Sequence, residues 1–328
     1  MTADRVALLR EDILAGPTAL GALLDAYAAP DGPLDGIGAP PARLVFTGLG
    51  SSLYAATTAA ALARAGGIAA SAEYPSSVPT PPASDQVLVA ISASGGTREV
   101  IDAARRHRGT GRVIAVTNGS GSALAEAADH VLPLLAGREG SGIATRTFRA
   151  TIAVVAMLVD RWIGRTEVAS RLRPTVEALY VLIDSHRAWV GDVADLLDGA
   201  GAIDVLGDAA DSALVRQAAL MLREAPRLPA TAHETADWLH TAVYLALPGH
   251  RALLFRGSPA DDEVVDTIRR RGGETIVVGP GVPGPALTID IPPLHSPAQR
   301  AIVLSVIAES LALELWDRTS ATETVGPA

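Results

Sequence analysis

The fold of this chain is decided by the stretch Val87-Leu88-Val89-Ala90-Ile91-Ser92-Ala93-Ser94-Gly95-Gly96-Thr97. Its five apolar residues predict a buried strand, because short runs rich in valine and isoleucine are typical of strands covered on both faces. Residues 96–107 predict a helix directly after the turn. A strand that leads through a Ser/Gly turn into a helix is the unit from which parallel α/β sheets are built.

The same alternation extends to both sides of this stretch. Residues 4–28 predict one or two helices broken near Gly16-Pro17. We then predict strands at residues 44–47, 68–74, 86–92, 112–117 and 130–134, helices at residues 52–65, 96–107 and 122–128, and a long apolar helix at residues 143–163. Strands that alternate with helices predict a parallel, doubly wound sheet.

The pattern then starts again. One long helix is predicted at residues 173–197, followed by strands at residues 202–206, 251–255, 275–278 and 287–291 and helices at residues 212–224, 261–271 and 297–316. Val45-Phe46-Thr47-Gly48 and Val205-Leu206-Gly207 each precede an Ala-rich helix, which indicates an internal duplication. The predicted fold class is therefore α/β, with two doubly wound lobes that each contain a parallel sheet. The predicted boundaries are residues 1–42 for N-terminal helices and a linker, 43–165 for the first lobe, 166–200 for a linking helix and 201–328 for the second lobe.

Composition narrows the function. The 328 residues are 48% apolar and carry a net charge of −9 without a basic stripe, so nucleic acid is not expected as a partner. The chain has no cysteine and no lysine, and all 27 basic residues are arginine. Thiolate nucleophiles, Schiff bases and a Walker-type phosphate lysine are thereby excluded. The apolar run at residues 150–159 is too short to span a bilayer, and the N-terminus lacks a signal pattern, so we expect a cytoplasmic protein without membrane association.

Two glycine-containing loops are candidates for binding an anion. The loop of residues 92–97 provides three hydroxyl groups, and the helix after it provides the positive end of a helix dipole. The loop of residues 48–52, Gly48-Leu49-Gly50-Ser51-Ser52, also joins a predicted strand to a predicted helix. In a doubly wound sheet, both loops can surround one ligand at the carboxyl ends of the strands. Because the first loop contains no cation, it suits a sugar monophosphate better than a nucleoside triphosphate. A plain turn with Thr97 and Ser52 as helix caps is the structural alternative.

Three motifs together resemble the sugar isomerase (SIS) domain family: Gly50-Ser51-Ser52, the SxSGxT element of residues 92–97, and Gly142-Ile143-Ala144-Thr145. The likeness runs over most of the chain and is closest to the isomerase half of glucosamine-6-phosphate synthase. It implies tandem SIS domains, each a flavodoxin-like three-layer sandwich. It also implies a sugar phosphate as the ligand, without cofactor or metal, bound by residues of these motifs: Gly50, Ser51, Ser52, Ser92, Ala93, Ser94, Gly95, Thr97, Ala144 and Thr145.

Glu224 and His240 are the candidate catalytic residues. A carboxylate at a helix C-terminus is disfavoured by the dipole and is therefore more basic, although the residues alone suit a solvated surface glutamate better. The resemblance implies that Glu224 is the isomerase base. It also implies that His240 opens the sugar ring in the site of a neighbouring subunit, and hence a homodimer with shared sites. The family's His-Gly-Pro segment is replaced here by His240-Thr241-Ala242, and its lysine-bearing tail is replaced by a lysine-free one.

These features together imply a phosphosugar isomerase or an aminosugar-phosphate deaminase that acts on a hexose or hexosamine 6-phosphate through an enediol. A glutamine-dependent synthase is not expected. The alternative from another class is a regulatory protein that binds the phosphosugar without turning it over. The matching loops of the second lobe carry Asp208, Asp211, Asp261 and Asp262, which would repel a phosphate dianion, so we predict one phosphate site per chain.

Two further interpretations are weaker. His233, Asp237 and His240, with Glu234 adjacent, would share one face if residues 233–240 were helical, and such a face can bind a metal. A nucleotide-binding fold of the dehydrogenase type is disfavoured, because Leu53 stands where the GxGxxG motif requires glycine. The remaining histidines are predicted to be structural: His107, His130, His186, His250 and His295.

Overall fold

The computed structural model describes residues 2–78 and 81–324, which divide into two compact units. The first unit comprises Ala15–Glu139 and Ala144–Glu177, and the second comprises Met1–Leu14, Gly140–Ile143 and Ala178–Ala328. In the second unit, the Asp12 carboxylate accepts hydrogen bonds from the N–H groups of Gly140 (3.1 Å) and Ser141 (2.9 Å) and from the Ser141 hydroxyl (2.7 Å). These bonds attach the short segment 140–143 to the N-terminal helix. The boundaries predicted at residues 42, 165 and 200 stay predictions.

The first unit contains a parallel sheet of five strands in the order β2-β1-β3-β4-β5. Its strands are β1 (Arg43–Thr47), β2 (Ala69–Glu73), β3 (Gln86–Ile91), β4 (Arg112–Thr117) and β5 (His130–Pro133). The helices of the first unit are α2 (Gly16–Ala28), α3 (Ser51–Ala65), α4 (Arg98–His107), α5 (Ala123–Glu126) and α6 (Arg146–Trp162). Helix α1 (Thr2–Leu14) comes before them in the chain and belongs to the second unit. Every residue of β3 is buried, as its apolar run predicts for a central strand.

The second unit repeats this arrangement. Its five parallel strands lie in the order β10-β9-β8-β6-β7, which is the order of the first sheet read from the other edge. They are β6 (Ile203–Gly207), β7 (Ala230–Glu234), β8 (Arg251–Phe255), β9 (Glu274–Val278) and β10 (Leu287–Ile289). The later helices of the chain are α7 (Pro174–Ser185), α8 (Val190–Leu197), α9 (Ser212–Glu224), α10 (Thr235–Trp238), α11 (Asp261–Arg270) and α12 (Pro297–Thr324). The α/β prediction with two doubly wound parallel sheets is therefore confirmed.

The long helix predicted at residues 173–197 is wrong. Helix α7 ends at Ser185, a 3-10 turn follows at His186–Ala188, and α8 begins at Val190. The His186 ring provides a physical reason, since its Nδ1 lies 2.5 Å from the Ile183 carbonyl oxygen. This oxygen is an acceptor that a continuing helix would use for its own backbone.

Strand β7 was missed by the sequence analysis. It lies at the edge of its sheet and pairs only with β6. Its residues Ala230-Thr231-Ala232-His233-Glu234 are mostly half-exposed and lack a run of large apolar side chains. A short edge strand needs little apolar surface, so its sequence carries little strand signal.

The half-buried carboxylate of Asp204 joins β6 to β7 and α10 in the second unit. Asp204, on β6, accepts a 2.7 Å hydrogen bond from Nε1 of Trp238, which is completely buried at the end of α10. Nε2 of His233 and Nε2 of His250 each lie 3.3 Å from an Asp204 oxygen. Burial acts to raise the pKa of Asp204, but the contacts with His233, His250 and Trp238 outweigh it and lower this pKa below its ordinary value.

None of the helices in the described parts of the chain is both long enough and apolar enough to cross a bilayer. Even α12, the longest, has a mixed sequence that places Glu309, Glu314 and Asp317 along its length.

We predict that Asp204→Asn destabilises the fold by about 1–3 kcal/mol at neutral pH, because a half-buried charged acceptor is lost. The pKa of Asp204 is lowered in the folded state. The ionised carboxylate therefore contributes to the free energy of unfolding above the unfolded-state pKa of about 4, and this contribution is lost as the pH falls through the folded-state pKa. Urea denaturation at several pH values would measure this. The exposed Asp198→Asn serves as the control. A variant as stable as the wild type at pH 7 would contradict the role of Asp204.

Candidate functional site

The loop of residues 92–97 joins β3 to α4 and is fixed by its neighbours. The Ser92 N–H donates to the Val116 carbonyl (3.1 Å) of β4, and the Leu124 N–H of α5 donates to the Gly95 carbonyl (3.1 Å). The hydroxyls of Ser92 and Thr97 hydrogen-bond to each other at 2.9 Å. The loop is therefore held in one shape at the carboxyl edge of the first sheet.

Gly95 is required by this shape. Its φ of 66° lies in the left-handed region, and a Cβ there would lie 2.9 Å from Thr117 Oγ1 and still closer to the Ser122 side chain. Ser94, next to it, is exposed, and its hydroxyl accepts a hydrogen bond from the Gly96 N–H (3.2 Å). The buried glycine thus allows the backbone to pack tightly while the serine faces outward.

The two helices that begin beside this loop have no side-chain cap. Gly50, with a φ of 53°, precedes α3, and Thr97 precedes α4; neither makes a capping hydrogen bond through its side chain. The alternative in which Ser52 and Thr97 act only as caps is therefore wrong: Ser52 lies within α3, and the Thr97 hydroxyl binds Ser92. Helix N-termini without caps present backbone donors and a positive dipole to an anion.

The strand order places both loops at one point of the sheet. β1 lies beside β3, so the loops of residues 48–52 and 92–97 leave adjacent strands at the same edge. In doubly wound sheets this is the switch point, where ligands bind. Ser51 and Ser52 are half-buried there, and Ser92 is buried. The residues that the resemblance assigns to phosphate in these two loops are thus brought to one place.

A cavity of about 690 Å³ opens beside the loop of residues 92–97. Its lining includes Ser94, Asn118, Leu135, Arg138, Glu139 and Thr147, all of the first unit. The Asn118 side chain is fixed, since it donates to the Gly137 carbonyl (2.7 Å) and accepts from the Ala136 N–H (2.9 Å). The volume lies in the range of small-molecule sites. We refer to it below as the first-unit cavity.

Glu139 is a site residue that the sequence analysis did not identify. Its Oε1 accepts hydrogen bonds from the N–H groups of Thr145 (2.6 Å) and Thr147 (3.1 Å) and from the Thr145 hydroxyl (3.1 Å). Its Oε2 accepts from the Thr147 hydroxyl (2.6 Å). The carboxylate therefore caps the N-terminus of α6. Thr145 is fully buried with both its donors directed at Glu139, and Ala144 is half-buried just before it. Their assignment to substrate stays a prediction.

The candidate catalytic residues lie in the second unit. Glu224 is exposed and is the last residue of α9, as predicted. His240 is exposed and follows α10, where its N–H donates to the Asp237 carbonyl (3.0 Å). Their roles as base and ring-opening residue stay predictions.

The helical face proposed for a metal is wrong, because His233 belongs to β7 and lies beside Asp204. Within residues 2–78 and 81–324, no group of three or more acidic or histidine side chains is arranged to hold a metal.

The corresponding switch point of the second unit contains its own ion pair. Arg300 Nε donates to both carboxylate oxygens of Asp211 (3.0 and 2.8 Å), and Arg300 Nη2 donates to one of them (2.6 Å) and to the Arg256 carbonyl (2.8 Å). Asp211 is only 4% exposed. Burial raises its pKa, which Arg300 opposes. Asp211 thus occupies, with its own carboxylate, the place where the first unit has Ser52.

The second loop of that switch point is occupied in the same way. Oδ2 of Asp261, the first residue of α11, accepts hydrogen bonds from the N–H groups of Gly257 (2.8 Å) and Ser258 (3.0 Å). Asp261 is 1% exposed, and burial raises its pKa against the effect of these two donors. The N–H groups of Gly257 and Ser258, in the loop that corresponds to residues 92–97, therefore donate to the Asp261 carboxylate of the same chain.

Comparisons with known proteins agree with this geometry. Residues 39–161 match the SIS domain family. A glutamine–fructose-6-phosphate aminotransferase (isomerizing) of Aeropyrum pernix is 31% identical over 208 residues, which cover 60% of this chain and 34% of that protein. The chain spans 28–41% of the length of the curated relatives it matches.

Two solved structures are similar over almost the whole chain. Glucosamine-6-phosphate deaminase from Thermotoga maritima has a TM-score of 0.77 at 20% identity, covering 95% of both chains. Tagatose-6-phosphate ketose/aldose isomerase from Escherichia coli has a TM-score of 0.76 at 19% identity, covering 95% of this chain and 93% of that one. At these identities the likeness establishes the fold. Residues 39–161 thus form a SIS domain, in a chain homologous to the isomerizing glutamine–fructose-6-phosphate aminotransferases.

Proposed function

We propose that this chain is a phosphosugar isomerase or an aminosugar-phosphate deaminase that acts on a hexose or hexosamine 6-phosphate. The observation that carries the proposal is the pair of uncapped helix N-termini at the first switch point, together with a cavity beside the loop of residues 92–97 that is large enough for a hexose. A phosphate monoester satisfies backbone and hydroxyl donors without needing a lysine. The names of the T. maritima deaminase and the E. coli isomerase describe those two proteins, and both name hexose 6-phosphate chemistry.

The proposed reaction moves a proton between neighbouring carbons. His240 assists ring opening by transferring a proton to the ring oxygen. Glu224 then removes the proton from C2 of the open chain while O1 gains a proton, which forms an enediol. The enediol loses its O2 proton as Glu224 returns a proton to C1, which converts the aldose to the ketose. With an amino group on C2, the same proton transfer gives an imine that water hydrolyses to the ketose and ammonia. We further propose a homodimer in which His240 serves the site of the neighbouring subunit.

A binding protein without turnover is the second candidate. It is favoured by the segment His240-Thr241-Ala242, which departs from the His-Gly-Pro of the resembling family. Both candidates use the same phosphate loop, so only a test of proton transfer separates them.

We predict that the wild type catalyses exchange of the C1 or C2 proton of a hexose 6-phosphate in D2O, observed by NMR, and that Glu224→Gln slows this exchange by at least about 100-fold. Binding of the same ligand is expected to change little, because the amide keeps the size of the side chain. Glu263→Gln, which neutralises an exposed glutamate on α11, serves as the control. No exchange by the wild type, together with normal binding, would favour the second candidate; exchange that survives in Glu224→Gln would remove Glu224 as the base.

We predict that Ser94→Ala weakens binding of a hexose 6-phosphate about tenfold, because a hydroxyl donor to a charged ligand is lost. The chain offers a matched control in Ser258→Ala. The Ser258 hydroxyl accepts from the Ala260 N–H (3.3 Å), just as the Ser94 hydroxyl accepts from the Gly96 N–H (3.2 Å). Calorimetric titration should show unchanged affinity for Ser258→Ala. Equal losses in the two variants would show that the effect is structural rather than specific to the first loop.

The number of phosphate sites is a separate prediction. We expect calorimetry with a hexose 6-phosphate to give one site per chain, since Asp211 and Asp261 occupy the second switch point. Two ligands per chain would contradict the interpretation of these two carboxylates.

A further inference from the structure

The loop before α4 and the first turn of α6 both line the first-unit cavity, through Ser94 and Thr147, and the N-termini of these two helices differ in what accepts from their N–H groups. Helix α4 follows the loop of residues 92–97 and has no side-chain cap. Helix α6 begins beside Thr145, and its first donors are taken by Glu139, which lines the cavity together with Ser94 and Thr147. One anion site is thus left for a ligand, while the other is filled by a carboxylate of the protein itself.

Glu139 is held as a fixed negative charge. Its two oxygens together accept four hydrogen bonds, from the N–H and hydroxyl groups of Thr145 and Thr147, at 2.6 to 3.1 Å. Four donors suit an ionised carboxylate, which only accepts. A side chain bound at both oxygens cannot turn away when a ligand enters, so its charge belongs to the permanent lining of the cavity.

The other charged residue of the lining is Arg138. It is exposed, and its main-chain carbonyl rather than its side chain is fixed, by a 2.5 Å hydrogen bond from Arg146. An exposed guanidinium is strongly screened by solvent. Arg146, half-buried at the start of α6, directs its guanidinium to the Arg138 carbonyl and is not part of the cavity lining. Glu139, half-buried against α6, is therefore the less screened of the two charges that line the cavity.

We propose that Glu139 determines substrate class: the site accepts sugar monophosphates whose remaining groups are neutral or cationic, and it rejects those with a second anionic group, such as sugar-acid phosphates and bisphosphates. This inference rests on the proposed function, because it takes the loop of residues 92–97 as the phosphate site. A carboxylate brought near Glu139 meets like charge in a partly enclosed space, whereas a hydroxyl can donate to it and an ammonium is attracted.

The test uses open-chain ligands that differ at one end only. Hexitol 6-phosphate ends in a hydroxyl, 6-phosphogluconate ends in a carboxylate, and an aminodeoxyhexitol 6-phosphate carries an amine. Calorimetry on the wild type should give 6-phosphogluconate an affinity at least about tenfold weaker than hexitol 6-phosphate, with the amine binding at least as tightly as the hexitol. In Glu139→Gln the gap between carboxylate and hydroxyl should narrow to about twofold. Glu126→Gln removes an exposed charge of the same unit outside this lining and should leave the gap unchanged.

A second measurement avoids mutation, in case Glu139→Gln unfolds the start of α6. In the wild type, the ratio of the two affinities should approach one as the salt concentration rises, because screening weakens the charge repulsion while the phosphate is common to both ligands. Equal affinities of 6-phosphogluconate and hexitol 6-phosphate at low salt would overturn the role of Glu139 and leave the phosphate site standing. If the folded wild type binds none of the three ligands, the proposed function fails, and this inference fails with it.

Discussion

Backbone N–H groups at helix N-termini need hydrogen-bond acceptors. The strand order of this protein places two such N-termini next to each other at the switch point of each sheet. In both units, two strands that are adjacent in the sheet are followed by loops that start helices. The first unit leaves α3 and α4 without side-chain caps. In the second unit, Asp261 accepts hydrogen bonds from the N–H groups of one loop, and Asp211, at the start of the other helix, is paired with Arg300. The duplicated fold thus meets one electrostatic requirement in two ways.

Glu139 extends this principle within the first unit. It supplies an internal anion to α6, whereas α4 is left for an external one. The Asn118 side chain, which lines the cavity beside this loop, is held in place by two hydrogen bonds. In the proposed mode of binding, the phosphate of the ligand lies at the uncapped helix end, and the part of the ligand away from the phosphate lies on the side of Glu139.

The sequence predicted those features that depend on local patterns. The apolar run of residues 87–91 and its repeats specify the strands, and their alternation with helices specifies parallel sheets. The Ser/Gly loop was found because hydroxyls and glycines at a strand-to-helix junction have a direct chemical meaning. Features that depend on contacts distant in the chain were missed. Nothing near Asp204 indicates that Trp238, His233 and His250 converge on it. Nothing near Arg300 indicates its pairing with Asp211, 89 residues away.

Local competition accounts for the other errors. The predicted long helix ends where the His186 ring lies close to a backbone carbonyl that a continuing helix would use. Strand β7 is specified by its pairing with β6, and its side chains show no strand periodicity. Glu139 lies only six residues before Thr145, but its hydrogen bonds to Thr145 depend on the conformation of the turn between them. Gly140 and Gly142 can adopt many backbone conformations, so the sequence does not specify that turn.

The self-occupied switch point of the second unit has a thermodynamic consequence. Asp261 binds the loop N–H groups, and Asp211 binds Arg300, as groups tethered to the same chain, so these contacts form without any dissolved ligand. The first unit, with an open site, is subject to mass action, and a ligand at 100 times its Kd would add about 2.7 kcal/mol to its stability. One copy of the fold thus completes its switch point with its own side chains, while the other leaves two helix N-termini at which a bound ligand would add stability.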